Sequence, residues 1–332
     1  MSSEPKMSAK QQLAAIGLDI GGTKIAAGVV LWSSGEILNR RVIPTNPTRG
    51  GEPVLSDTLD LSKQLYDWAQ LEGIQVAGIG AGVPEFVDTE GNVTSSCTIH
   101  WRDVPVQQRL SEIAPTVVES DVRAAALAEA TFGAGKQSHL FVYVTVGTGI
   151  SYCLVQDGHP FTGANGNAIT LASSPLSTVC THCGAKLHPV LEEFASGPAI
   201  AKRFAQAVGK VSENGDSTEG GAERVFAAAS NGSKLAAEIL TSAGEALGVS
   251  VAFLVNVLDP EIIIVGGGLG MAGGLYWDTF QRSCREHIFA DNSRQVPIVS
   301  AKLGIDAGIV GAAAAVFAKQ QTQKTHFAHE KN

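Results

Sequence analysis

The stretch Ile16-Gly17-Leu18-Asp19-Ile20-Gly21-Gly22-Thr23-Lys24-Ile25-Ala26-Ala27-Gly28-Val29-Val30 sets two apolar β-type runs on either side of a short turn. That pattern reads as a β-hairpin. The content of the turn goes beyond what a hairpin needs. Gly21 and Gly22 let backbone N–H groups approach an anion without interference from a Cβ. Thr23 adds a hydroxyl and Lys24 a positive charge. Asp19, on an otherwise apolar strand leading into the turn, is suited to hold hydrated Mg2+. A bare Gly-Gly pair would read as a plain turn, and the aspartate argues against that.

The arrangement returns later in the chain. Residues 140–146 read as a strand, Gly147-Thr148-Gly149 as a turn and 150–155 as the next strand. The turn reads in full Thr145-Val-Gly-Thr-Gly149. Two such units point to two related lobes. A third glycine turn, Gly266-Gly267-Gly268, follows the apolar run 262–265, where a bare backbone can pass close to a flat purine. Alone the second turn is weak; with the other two it describes loops closing on a polyphosphate and its nucleoside.

The segments between are coarse but readable. A third strand is expected at 37–43, and a helix at 59–71 with Leu61, Leu65, Trp68 and Ala69 on one face. A buried strand at 76–83 stops at Pro84. A short helix at 104–113 precedes a strand at 117–119, and Ser120 or Asp121 then caps a helix over 122–132. Further helices are expected at 191–208, 222–229, 233–258 and 308–317, a strand at 261–265, irregular chain at 163–184 and a surface loop at 212–221.

Composition bounds the function. A chain of 332 residues is long for one domain and suits about two. With 44% hydrophobic and 17% charged residues it can bury a large core, which excludes a disordered protein. Its net charge of −8 disfavours nucleic acid as a partner. Thirty-seven glycines with only 6% aromatics suit an α/β enzyme. Five cysteines cannot form a complete disulfide framework, and the scattered Cys97, Cys153 and Cys284 read as buried thiols. Residues 1–13 lack a signal-peptide core, and no run of about 18 apolar residues is seen, so a cytoplasmic protein without a membrane partner is expected.

The ordered set Leu18-Asp-Ile-Gly-Gly-Thr-Lys24, Gly80-Ala-Gly-Val-Pro84, Glu119-Ser-Asp-Val-Arg-Ala-Ala-Ala-Leu-Ala-Glu129, Thr145-Val-Gly-Thr-Gly149, Gly163-Ala-Asn-Gly166, Leu191-Glu192, Ala195-Ser-Gly197 and Asp259-Pro-Glu-Ile-Ile-Ile-Val-Gly-Gly-Gly268 resembles the ROK sugar kinases of the actin-like ATPase superfamily. The resemblance spans residues 14–318. It implies a two-lobe α/β, ribonuclease H-like fold with ATP and Mg2+ in a cleft between the lobes. One lobe would take 14–122, completed by a helix near 308–318; the other would take 123–307, with flexible tails at 1–13 and 319–332. The repressors of the family carry an added N-terminal DNA-binding domain, for which the leading 13 residues are too few, so the kinase branch is implied. A homodimer is implied as well.

By the same resemblance, Asp19, Gly21, Gly22, Thr23, Lys24, Thr145, Gly147, Thr148, Gly149, Gly266, Gly267 and Gly268 bind the nucleotide and its Mg2+. Gly82, Pro84, Ser120, Asp121, Asn165, Gly166, Thr170, Ser173 and Glu192 border the acceptor. Asp121 becomes the catalytic base; spacing alone fits a helix N-cap equally well. Glu85, after Pro84, could face the cleft, and His100, beside Trp101, lies in a loop that the family sets near the sugar or is a plain surface residue.

The chain departs from the family at its acceptor residues. Ser120 stands where hexose-specific members have asparagine, and Thr170 and Ser173 stand where the family has glutamate and histidine. Two hydroxyls replace a carboxylate and an imidazole. A phosphoacceptor other than plain glucose is therefore expected, either an unusual sugar or a sugar-like polyol such as a C7-cyclitol. A ligand-sensing pseudokinase is the alternative from another class. The family's zinc module over 173–190 is also altered, to Cys180-Thr-His-Cys183-Gly-Ala-Lys-Leu-His188. Cys180, Cys183 and His188 have the ligand types for Zn2+, with His182 or water as a fourth; a metal-free polar loop is the competing reading.

Overall fold

The computed structural model describes residues 12–175, 178–209 and 221–329, the last eight of these as backbone alone. In chain order its elements are β1 Leu13–Ile20, β2 Lys24–Leu31, β3 Ile37–Pro44, α1 Gly51–Leu71, β4 Gln75–Val83, α2 Val106–Ser111, β5 Thr116–Ser120, α3 Asp121–Phe132, β6 Leu140–Val146, β7 Ile150–Gln156, β8 His159–Pro160, β9 Thr178–Val179, β10 Lys186–Leu187, α4 Glu192–Ala195, α5 Gly197–Ala207, α6 Gly221–Ser230, α7 Lys234–Leu258, β11 Ile262–Gly266, α8 Gly274–His287, β12 Ile298–Ser300 and α9 Ala307–His329. The fold is α/β, with mixed sheets flanked by helices. The chain divides into two compact units. One holds residues 1–128, Ala164–Gly166 and Asp306–Asn332; the other holds Glu129–Gly163 and Asn167–Ile305.

The first unit is built on the sheet β3-β2-β1-β4-β5. β1, β2 and β3 pair antiparallel, and β4 and β5 add in parallel. Alternation along the strands divides the two faces. Ile16, Leu18, Ile79 and Ala81 join the apolar cluster that holds Val54, Leu55, Leu61 and Leu65 of α1. The opposite face is made of small residues. There Gly17 and Gly80 are register partners. A Cβ on Gly17 would stand 2.0 Å from the Ile309 carbonyl oxygen, and one on Gly80 would stand 1.7 Å from that of Ala312. Glycine in these strand interiors lets the α9 backbone lie directly on the sheet. β1, β4 and β5 run in parallel, so Asp19, Gly82 and Ser120 come to one end of the sheet: Asp19 pairs with Gly82, and Ser120 with Val83.

The second unit repeats the plan in the sheet β12-β11-β6-β7-β8. β6, β7 and β8 pair antiparallel, and β11 and β12 add in parallel. Val142, Val144, Val146, Ile263 and Val265 form its core with α7, which buries Ile239, Leu240, Leu247, Val251 and Val255. Fully burying each such side chain contributes about 1.5–3 kcal/mol. Among the described residues α7 alone has the length and mean hydropathy, 1.5, of a membrane span. Read by single residues it has no unbroken run of about 18 apolar residues, because Glu238, Thr241, Ser242 and Glu245 interrupt it.

Several elements differ from the sequence reading. α1 starts at Gly51, well before 59, because Glu52 and Pro53 suit a first helical turn. The helix expected over 191–208 is two helices; the chain is extended at Ser196, whose hydroxyl accepts the Ala199 N–H and caps α5. α8 and β12 were not anticipated. α9 runs on to His329 through the expected flexible tail, since no glycine or proline follows Gly311 to stop it. The remaining tail residues, 1–11 and 330–332, and the expected loop at 212–220 lie outside the described residues.

Candidate functional site

In the first unit the turn after β1 is closed by the Gly21 N–H donating to the Lys24 carbonyl at 2.9 Å. Thr45, wholly buried, donates its hydroxyl to the Gly21 carbonyl at 2.5 Å, and its N–H reaches the Thr23 carbonyl at 3.0 Å. This ties the turn to the end of β3. Gly22 lies against Thr98, whose methyl a Cβ would approach to 2.8 Å. Thr23 and Lys24 are exposed. Asp19 is half-buried, and a Cβ on Gly308 would stand 2.4 Å from its carboxyl carbon. Glycine at the start of α9 thus leaves room for the carboxylate. Loss of solvation raises the Asp19 pKa from its ordinary value, against the opposing pull of Lys24 and Arg40.

Asp121 opens α3 directly after β5. Its Cα lies beside Gly82, 3.8 Å from where a Cβ there would be. One carboxylate oxygen accepts the Val122 N–H at 2.6 Å, so the helix-start role is partly met, and the side chain remains open to solvent. Loss of solvation where the protein crowds the carboxyl, and secondly the Asp19 carboxylate, push its pKa up from 3.8 to about 6. That suits a group that takes a proton near neutral pH. Ser120 is buried at the end of β5, and Pro84 is half-buried at the end of β4. Asn165 is exposed and Gly166 buried, and this short stretch packs with the first unit.

Glu85 is turned into the protein rather than toward open solvent. It is buried, and its carboxylate accepts the Ser95 hydroxyl and the N–H groups of Cys97, Thr98 and Ile99, which hold its pKa below the usual range despite burial. It clamps the loop that leads to His100 and Trp101. His100 is exposed with φ 60°, while Trp101 is fully buried and donates to the Gly51 carbonyl at 2.8 Å.

In the second unit the Gly147 N–H donates to the Gly149 carbonyl, and the Gly147 carbonyl accepts the Gly197 N–H, both at 2.9 Å. Thr145 is half-buried and Thr148 exposed. Glu192 spends one carboxylate oxygen on the Ile150 N–H at 2.8 Å, and a Cβ on Gly149 would strike that oxygen. It therefore braces the second glycine turn. The third turn folds onto the second: the N–H groups of Leu269 and Gly270 both reach the Val146 carbonyl at 3.0 Å. Gly267 has φ +81°, and a Cβ there would lie 2.3 Å from that same oxygen. A Cβ on Gly147 would stand 4.0 Å from the Gly268 nitrogen, while one on Gly268 meets nothing. A cavity of about 620 Å³ opens beside Thr148, bordered by Glu192, Ser196 and Lys202.

Thr170 and Ser173 are exposed, and the Thr170 carbonyl accepts the Ser174 hydroxyl. Cys180 and Cys183 share the hairpin turn between β9 and β10, where N–H groups of Cys183 and His182 lower the Cys180 pKa. Among the described residues no three His, Cys, Asp or Glu side chains gather to hold a metal. The zinc reading of Cys180, Cys183 and His188 therefore finds no support among the described residues.

The sequence reading missed Thr45 and Arg123. The buried Arg123 pairs with Glu119 and donates to the carbonyls of Gly166 and Val87. Its i, i+4 spacing from Glu119 was the one readable signal; Thr45 left none.

A model of the ROK family matches residues 15–320. A glucokinase of Halalkalibacterium halodurans is 31% identical over 317 residues, covering 89% of this chain and 92% of that protein. The crystal structure of a ROK hexokinase from Thermus thermophilus superimposes with a TM-score of 0.76 at 28% identity, covering 93% of this chain and 99% of the other. A ROK family glucokinase from Streptomyces griseus, solved with glucose and AMPPNP, gives 0.73 at 30% identity, covering 90% and 98%.

Proposed function

The chain belongs to the ROK family, and from that premise we propose that it is a kinase transferring the γ-phosphoryl group of ATP to a hydroxyl of a sugar or sugar-like polyol. The observation that carries this reading is the pair of carboxylates at the ends of β1 and β5. Asp19 is half-buried beside a glycine, and Asp121 is solvent-open with its pKa pushed up to about 6. Asp121 takes the proton of the attacking hydroxyl. A single carboxylate with space around it suits Mg2+, which binds through one or two carboxylates plus phosphate. Asp19 would hold the ion, which neutralises charge on the phosphates when bound. The turn at Gly21, Gly22, Thr23 and Lys24 and that at Thr145, Gly147, Thr148 and Gly149 serve the phosphates. Gly266, Gly267 and Gly268 serve the adenosine.

The acceptor in this proposal is not plain glucose. Thr170 and Ser173 are neutral hydroxyls in exposed chain, and they suit an acceptor without an anomeric hydroxyl, of which a C7-cyclitol is one class. Gly82, Pro84, Ser120, Asn165 and Gly166 border it. Glu192 enters through the turn it braces. The same substitutions favour the second reading, a pseudokinase that binds ligand without turnover. A cytoplasmic homodimer is part of the proposal. The exposed row Val249, Phe253 and Val257 on α7, with Phe289 held beside it by Asn256, offers it an apolar face.

The test is ADP release with Mg-ATP over a panel of sugars and cyclitols, using the wild type and Asp121→Asn. Turnover with one acceptor, lost in the variant, is expected. Silence across the panel with intact nucleotide binding would make the sensor the better reading.

A further inference from the structure

We infer that Arg123 is a positioning residue for the acceptor: its guanidinium fixes the Ala164–Gly166 segment against the first unit, at a set place relative to Asp121. The inference rests on the kinase reading above and deepens it.

Arg123 lies one half-turn after Asp121 on α3, and its side chain is only 7% exposed. Each of its three nitrogens has its own partner. Nε donates to the Glu119 carboxylate, Nη1 to the Gly166 carbonyl and Nη2 to the Val87 carbonyl at 2.8 Å. A planar guanidinium offers donors in fixed directions, so it sets the spacing of the groups it joins; a lysine ammonium, with one nitrogen, does not. Glu119 balances the buried charge and also accepts the Ser120 N–H at 2.8 Å, which ties the pair to the strand end that precedes Asp121.

The segment it holds is built for close approach. Gly166 has φ +77°, and a Cβ there would stand 2.1 Å from the Val87 oxygen. Only glycine lets these two carbonyls converge on one guanidinium. Ala164–Gly166 packs with the first unit, although the chain on both sides of it belongs to the second. Asn165, exposed within it, is thereby presented from a rigid anchor. The strength of the arrangement is that Asn165 and Asp121 are referred to the same side chain. Misplacing an acceptor by about 1 Å costs on the order of a hundredfold in rate.

The test is Arg123→Lys, which keeps a charge opposite Glu119 and loses the fork. Steady-state kinetics with the acceptor found in the screen are combined with backbone hydrogen exchange and a thermal melt. The expected result is an acceptor KM raised about tenfold or more with a lower kcat, while the KM for Mg-ATP stays within about twofold. Exchange at residues 165–168 speeds up locally. An unchanged acceptor KM overturns the inference. So does a rise in both KM values accompanied by faster exchange throughout, which would mark a purely structural pair. If the Lys variant does not fold, Glu119→Gln combined with Arg123→Met, which removes both charges, takes its place under the same criteria. If the wild type turns over no acceptor, the kinase reading fails and the exchange data decide alone: unaltered protection at 165–168 overturns the anchor, and local loss supports it.

Discussion

The two sheets follow one plan, β3-β2-β1-β4-β5 in the first unit and β8-β7-β6-β11-β12 in the second, and they diverge at one end. In the first, Asp19 pairs with Gly82; at the matching place in the second, Thr145 pairs with Gly266. Each sheet thus delivers a polar side chain beside a glycine at the carboxyl end of a parallel strand, where α/β proteins bind ligands. The first unit delivers charge, with the Asp19 carboxylate adding to the cost of ionising Asp121. The second delivers hydroxyls and backbone N–H groups, with Glu192 turned to bracing its own loop. The lesson is that a repeated scaffold sets where a polar group emerges, and the residue there sets what it does. In the function proposed above, the first unit would supply proton and metal chemistry and the second would hold an anion and a flat ring.

The largest expected effect tests the charged side of this comparison. Asp121→Asn keeps the acceptor for the Val122 N–H and removes the base. We expect kcat to fall by about 10²- to 10⁴-fold with nucleotide affinity little altered, checked by steady-state turnover and calorimetry with a non-hydrolysable ATP analogue. A loss of nucleotide binding of similar size would mean that the two units do not divide the work this way.

Next comes a pair of glycines. Gly80→Ala puts a methyl 1.7 Å from the Ala312 oxygen, so backbone has to move. Overpacking of this kind costs about 1–3 kcal/mol or more, and we expect a clear drop in the melting temperature. Gly268→Ala meets nothing within 4 Å. It should leave the melt unchanged and raise the KM for Mg-ATP if that surface serves the nucleotide. Equal melts for the two variants would erase the distinction between a glycine needed for packing and one needed for a ligand.

These glycines also show how far the sequence could be read. Both glycine hairpins were legible because an apolar run, a glycine turn and a second apolar run are local signals. The family motifs named Gly80 and Gly268 without separating their duties, since only the approach of α9, more than 200 residues away in sequence, makes Gly80 a packing residue. Glu85 was expected to face a cleft, and its burial was missed for the same reason. Its four partners lie 10 to 14 residues on, in a loop with no periodicity. α8 was missed because arginines and a histidine interrupt its apolar positions, and only α7 shows that Tyr276, Phe280 and Cys284 form its inner face.

A smaller effect sharpens the role of Glu192, which the resemblance assigns to the acceptor and the geometry ties to the Ile150 N–H. Hydrogen bonds to a charged group contribute about 1.5–3 kcal/mol, so Glu192→Ala should loosen the 147–150 turn. We expect the KM for Mg-ATP to rise about tenfold, and by more than that of the acceptor. The opposite order would return Glu192 to direct acceptor binding.

The smallest effect is in pH. A base with its pKa near 6 gives a kcat/KM that rises with pH and levels off above that value, rather than near the ordinary 3.8. The linkage has the same origin. A carboxyl whose pKa is raised on folding is ionised at a cost to stability, fully present above about pH 6 and absent below about pH 4. Asp121→Asn should therefore melt higher than the wild type at about pH 8, with the gap closing as pH falls through that window. The matching change in the second unit, Thr145→Val, removes no ionisable group and should shift the melt equally at both ends of the range. A pH-dependent shift there would show that charge is not confined to the first unit's strand ends, and the contrast between the two sheets would have to rest on geometry alone.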